Sequence, residues 1–226
     1  MSDPEPMNAA RPLALVTGAS GRLGTVLVDA FLTAGYRVIG LDRTVCEAIS
    51  VPIIPFSAHD EQSVEEAFGR VGREYGVPAV VVHAIGTWAM KPFADTALSD
   101  WNRVMEINLT STFLVFREAV RLMQGADEPV SGRLIGISSK QGSLRGVAEQ
   151  AAYSASKAGV QRLVESLSAE MSGTGITVHA VAPSMILFDG GEGQGIAAED
   201  IAAHCLHLAT EAGASLNGTT LLAFGE

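Results

Sequence analysis

Leu13-Ala14-Leu15-Val16-Thr17-Gly18-Ala19-Ser20-Gly21-Arg22-Leu23-Gly24 is the stretch that decides the fold. A short apolar run, Leu13 to Thr17, reads as a buried strand. A helical pattern from Gly21 to Ala34 follows at once, with Leu23, Val26, Leu27, Ala30 and Phe31 on one side. Gly18 allows a tight turn, Gly21 lets a ligand approach the backbone, and Gly24 lets helix and strand pack closely. The helix N-terminus then offers free N–H groups to phosphate oxygens. A glycine triplet alone carries little weight; between a strand and a helix it predicts a dinucleotide site.

The same alternation runs outward along the chain. Strands are expected at Arg37–Asp42, Val51–Phe56, Ala79–His83, Gly132–Ser138, Thr177–Ala182 and Thr219–Phe224. Helices are expected from an Asp60 cap to about Tyr75, from a Ser99 cap to about Gln124, over Gln150–Met171, and over Ala198–Ala212. Strands apolar on both faces, each followed by a helix, predict an α/β doubly wound parallel sheet. Its ligand crevice lies at the carboxyl ends of the strands. No linker divides the chain, so residues 12–226 read as one domain behind a disordered tail, residues 1–11.

The chain has 226 residues, an apolar share of 47% and a formal charge of −10. That excludes wholesale disorder and disfavours nucleic acid and anionic membrane surfaces as partners. No apolar run is long enough for a transmembrane helix, and the N-terminus lacks a secretory core. Cys46 and Cys205 have no metal-ligand spacing, and a reduced, cytoplasmic protein is expected. His204 and His207 share a helix face, but no further ligand cluster accompanies them, so no metal is expected.

Asp42 closes the second strand eighteen residues after Gly24. A carboxylate there accepts hydrogen bonds from the ribose hydroxyls of NAD and repels the extra phosphate of NADP. Arg22 and Arg43 are the counter-signal, since either could pair with that phosphate. NAD is therefore favoured over NADP. Tyr153 and Lys157 lie one turn apart on one helix face. A phenol near pKa ~10 exchanges protons poorly at neutrality, and a neighbouring ammonium favours the phenolate; a shift of ~3 units corresponds to about 4 kcal/mol. Ser139 follows the strand that ends near Ile137, where its hydroxyl can hold a reacting oxygen. Asn108 sits inside the long helix, where a local kink with a bound water would account for it.

In this order the glycine turn, Asn108, Ser138-Ser139, Tyr153-x-x-x-Lys157 and the run from Val178 to Pro183 resemble the short-chain dehydrogenase/reductase family. The resemblance covers almost everything after residue 12. It implies a Rossmann-type three-layer sandwich with a seven-stranded sheet and a bound NAD or NADP. It implies Tyr153 as acid/base, Lys157 on the nicotinamide ribose, Ser139 on the substrate carbonyl and Asn108 in a water relay. Cofactor contacts are expected from Gly18, Ser20, Gly21, Arg22, Leu23, Gly24, Asp42, Arg43, Ala84, Ile85, Gly86, Tyr153, Lys157, Pro183 and Ile186. A homodimer or homotetramer and a small carbonyl or alcohol substrate are also implied.

Several positions depart from the family pattern. The middle glycine comes one place early, with Arg22 in its usual position. The usual Asn-Asn-Ala-Gly reads His83-Ala84-Ile85-Gly86, and Pro183 is followed by Ser184 rather than glycine. Between Pro183 and Ala198 lies only a short glycine-rich substrate loop, 184–197, expected to be mobile and to leave the site open or completed by a partner subunit. Trp88, Met90, Phe93, Leu144 and Phe188 are candidates to line the pocket. Two other readings remain open: a dihydropteridine reductase-like enzyme, suggested by the short chain, the glycine turn and Gly86-Thr87-Trp88, and a non-catalytic nucleotide-binding regulator.

Overall fold

The computed structural model describes residues 11–44, 49–128 and 130–225. The tail expected over residues 1–11 lies outside them apart from Arg11, as does Cys46. Strand β1 (Leu13–Thr17) leads into helix α1 (Arg22–Thr33), then β2 (Arg37–Asp42), β3 (Ile53–Pro55), α2 (Glu61–Glu74) and β4 (Val80–His83). Helices α3 (Leu98–Met105) and α4 (Ser111–Gln124) come next, then β5 (Arg133–Ile137), the short α5 (Lys140–Ser143) and α6 (Ala151–Glu170). The chain closes with β6 (Thr177–Pro183), β7 (Ile186–Leu187), β8 (Ile196–Ala197), α7 (Ala198–Leu208), α8 (Glu211–Ala214) and β9 (Thr220–Ala223).

Seven strands form one parallel sheet in the order β3-β2-β1-β4-β5-β6-β9. The order reverses at β1 and β4, which opens the crevice at their carboxyl ends. Side chains alternate along β1: Leu13 and Leu15 join a core under α2, α4 and α6, while Ala14 and Val16 join one under α1 and α7. The Rossmann-type three-layer α/β arrangement follows directly. Burial on both faces is why the strands read as unbroken apolar runs.

Local chemistry moves several boundaries. Asp60 caps α2 as expected, accepting from the Ser63 N–H at 2.8 Å. Ser99 does not cap the next helix. Ala97 is the N-cap, and Asp100 Oδ2 accepts from both the Ala97 N–H at 3.4 Å and Lys91 Nζ at 2.6 Å. The long helix is also broken by a π turn over Glu106–Thr110. The last helix stops at Leu208 because Thr210 caps a separate short turn. The substrate loop, expected to be simply mobile, carries a small ladder: Ile186 pairs with Ile196 and Leu187 with Ala197.

Gly18 has φ +72°, and its N–H donates to Leu41 O at 2.8 Å, fixing the turn against β2. A Cβ on Gly24 would lie 1.9 Å from Gly18 O, a backbone atom that cannot move aside alone. Gly24→Ala is therefore expected to destabilise the fold by about 1–3 kcal/mol or more, as overpacking does. Urea unfolding measures this; an unchanged midpoint would contradict the close packing.

Candidate active site

Two adjoining hollows occupy the carboxyl edge of the sheet. One, of about 530 Å³, is lined by Gly18, Ser20, Gly21, Asp42, Arg43 and the strip from Ala84 to Thr87. The other, of about 310 Å³, shares that strip and adds Leu23, Ser139, Tyr153, Lys157, Pro183 and Ile186. The fold thus gathers nearly all the residues expected from sequence along one crevice. Gly24 lies beneath it as a packing residue. Arg22 turns elsewhere: its guanidinium stacks on Phe188, 4.0 Å from the ring centroid, and pairs with Asp189 at 3.3 Å. The pair is exposed, so its stabilising contribution is small. It does rest the tip of the substrate loop on the glycine turn.

Asp42 is held on both oxygens. Oδ2 accepts from the Ser20 N–H at 2.9 Å and Oδ1 from the Arg43 N–H at 2.6 Å. The remaining lone pairs are available to hydroxyl donors.

Lys157 is buried, and its Nζ donates to Ile137 O at 2.7 Å. An ammonium has three donors, so two remain for other acceptors. Burial pulls its pKa down to about 8. A Cβ on Gly86 would lie 3.2 Å from that Nζ, so glycine keeps this side clear. The open strip at Ala84–Gly86, the turn at Gly18–Gly21 and the spare Lys157 donors fit a nicotinamide dinucleotide.

The Tyr153 phenol is half-buried and lines the same hollow as Ser139. Burial raises its pKa above the usual 10. The sequence suggested a lowering by Lys157. Here the ammonium engages a strand carbonyl, and desolvation dominates. Ser139 Oγ donates to Gln141 Oε1.

Asn108 lies behind the crevice, fully buried in the π turn. Its Oδ1 accepts from the Thr87 N–H at 2.7 Å, and its Nδ2 donates to Thr87 O and Ser156 Oγ, both at 2.9 Å. A π turn stands where a local kink was expected. Ser111 and Thr112 support it by donating back to Ile107 O at 2.6 Å and Asn108 O at 2.7 Å.

Sequence reading missed the residues that brace this set. His83 Nε2 lies 2.9 Å from Ser111 Oγ, and its Nδ1 lies 2.7 Å from Thr17 Oγ1. Ser111 spends its proton on Ile107 O, so His83 Nε2 carries the hydrogen and Nδ1 accepts from Thr17. One chain of hydrogen bonds therefore links the glycine turn, β4 and the π turn. Gln161 continues the Tyr153-Lys157 face by one more turn and donates to Ser138 Oγ and Ser143 Oγ at 2.9 and 2.8 Å. Three polar residues at four-residue spacing on a buried helix face were the available signal. Trp88, Met90, Phe93 and Leu144 are all more than half exposed. Cys205 sits in the core with its thiol pushed up to about 12. Among the described residues no group of three His, Cys, Asp or Glu side chains could hold a metal ion, and no helix is long and apolar enough to cross a membrane.

The short chain dehydrogenase family model matches residues 12–193, and the chain belongs to that family. It is 27% identical to D-threitol dehydrogenase of Mycolicibacterium smegmatis, over 94% of this chain and 91% of that protein. It is 31% identical to the 3-oxoacyl-(acyl-carrier-protein) reductase FabG of Escherichia coli K12, over 81% of this chain and 77% of that protein. Among solved structures, that of gox2181 superposes with TM-score 0.84 at 25% identity, covering 96% of this chain and 95% of the other. A short chain dehydrogenase from Mycobacterium smegmatis gives 0.86 at 24% identity, covering 96% and 93%. The family consists of oxidoreductases that move hydride with NAD or NADP.

Burial holds the His83 pKa at about 3, against about 6.5 for a free imidazole. The unfolded chain therefore binds the extra proton first. This contribution is complete above pH ~6.5 and is lost as pH falls toward 3. His179, at about 4, acts in the same direction. In urea titrations from pH 7 to pH 4, His83→Asn should flatten the loss of stability relative to wild type. Parallel curves would contradict the neutral, buried assignment.

Proposed function

We propose that the protein interconverts a carbonyl and an alcohol, with Tyr153 as the proton donor and acceptor. The supporting observation is that Tyr153, Ser139 and Lys157 line one hollow that continues the glycine-turn cleft. The names of the two relatives support the substrate class, one being a polyol dehydrogenase and the other a 3-oxoacyl reductase.

The glycine-turn N–H groups, Leu23 and the strip Ala84–Gly86 would hold the dinucleotide, with Pro183 and the Ile186 backbone at its nicotinamide end. Asp42 would take the ribose hydroxyls and favour NAD over NADP. The bound nicotinamide supplies or takes the hydride. Tyr153 gives its proton to the carbonyl oxygen in reduction and takes it from the alcohol in oxidation. Ser139 holds that oxygen, for which its hydroxyl must leave Gln141. Lys157 turns its spare donors to the ribose, and its charge beside the phenol favours the phenolate. The Asn108 side chain is committed to Thr87 and Ser156. A relay water would have to meet the Asn108 backbone carbonyl, which accepts from Thr112 Oγ1. Residues 12–226 act as one dehydrogenase domain with the short loop 184–197 over the substrate, and the chain assembles as a homodimer or homotetramer.

Tyr153→Phe should cut turnover by about 10²–10⁴-fold, the usual weight of a general acid, and leave cofactor binding within about twofold by fluorescence titration. Retained turnover would remove Tyr153 from the role. Because burial raises the phenol pKa, alcohol oxidation should need high pH: kcat/KM for oxidation should climb from pH 7 to pH 10. An oxidation profile that falls over that range would contradict the assignment.

A further inference from the structure

A third hollow, of about 810 Å³, opens beside the reacting group. Ser184 lines both it and the hollow that holds Tyr153. Gln141, which accepts from Ser139, forms another part of its wall. The groove therefore leaves directly from the proposed reaction centre. Its character is mixed. Leu144, Val147 and Met185 are 56%, 44% and 64% exposed, so three uncovered apolar side chains line it. Lys140 and Arg145 bring positive charge to the same wall.

That charge is notable in a chain of net −10. On the α2–α4 face, Arg117 and Arg121 are paired with Glu61, Glu65 and Glu118. Lys140 and Arg145 have no ion-pair partner among the described residues, and none of the described residues lining the groove is acidic. Lys140 Nζ instead lies 5.0 Å from the centre of the Phe224 ring, on the same wall.

We infer that this groove takes the body of the substrate, and that Lys140 and Arg145 bind an anionic group on it. The substrate class is then an oxo or hydroxy compound with an apolar body and a carboxylate or phosphate. This rests on the carbonyl–alcohol reaction proposed above. An uncompensated cation pair recognises such a group by charge-assisted hydrogen bonds, and rejects its neutral ester by leaving the cations unpaired.

The test is a panel of oxo acids of four to ten carbons, their methyl esters, and matching oxoalkyl phosphates, assayed with NADH and NADPH. The acid or the phosphate should exceed the ester by roughly tenfold in kcat/KM, a ratio suited to partly exposed charge pairs. The ratio should fall at least fivefold in Lys140→Gln/Arg145→Gln. In the unaltered protein it should also fall as KCl is raised to about 0.5 M, which screens such pairs whether or not the variant folds. Whichever anion shows the larger Lys140- and Arg145-dependent gain identifies the group. Esters used as well as acids, or a preference that survives both the double variant and salt, would overturn the inference while leaving the reaction standing. No turnover of any panel member by a protein that binds cofactor would overturn the proposed reaction and this inference with it.

Discussion

The site is organised around a buried ammonium. Lys157 is 4% exposed and has no carboxylate partner among the described residues. Its Nζ donates to a carbonyl at the end of β5. Desolvation disfavours its charge and draws its pKa to about 8. Such a group costs stability unless other acceptors reach it, and the crevice beside it is where they would come from. Two glycines make room for it. Gly86 faces Nζ, and a Cβ on Gly142 would lie 2.5 Å from the Lys157 carbonyl carbon. The short α5 can therefore press onto α6 where the reacting residues lie.

The scaffold serves that arrangement with polar connections of high cost if broken. Thr17, His83 and Ser111 tie the first strand, the fourth strand and the π turn together. Asn108 carries the link onward to Thr87 and Ser156, and the Ser156 hydroxyl donates to Tyr153 O at 2.8 Å. Each buried group here is satisfied, so the network adds rigidity without an orphaned polar atom. His83 stands where the family pattern has asparagine and fills the place with a different pair of hydrogen bonds.

How legible this was in the sequence depended on the range of the interactions. The strands β1 and β2 read to their observed ends, because burial on both faces writes an unbroken apolar run bounded by turn residues. The glycine turn, Asp42 and Tyr153-Lys157 were legible because their chemistry is local or repeats at one helical turn. The Ser99 cap was not, since Asp100 outcompetes it through a contact with Lys91 nine residues away. The π turn could be suspected from Asn108, but its support from Ser111 and Thr112 reads as ordinary helix polarity. Arg22 looked like a phosphate ligand; only the fold brings Phe188 and Asp189 beside it. His83, Gln161 and the Lys140–Arg145 groove depend on contacts between distant segments, which single-sequence periodicity does not encode.

The chain contains three lysines, Lys91, Lys140 and Lys157. The buried ammonium is therefore open to direct observation. With side chains labelled with carbon-13 at the ε position, NMR titration should resolve three signals, with Lys157→Arg assigning one. Lys157 should titrate near pH 8 in the cofactor-free protein, well below the value of about 10.4 for a free lysine side chain. A Lys157 signal that titrates at the free-lysine value of about 10.4 would contradict the buried, unneutralised ammonium at the centre of the site.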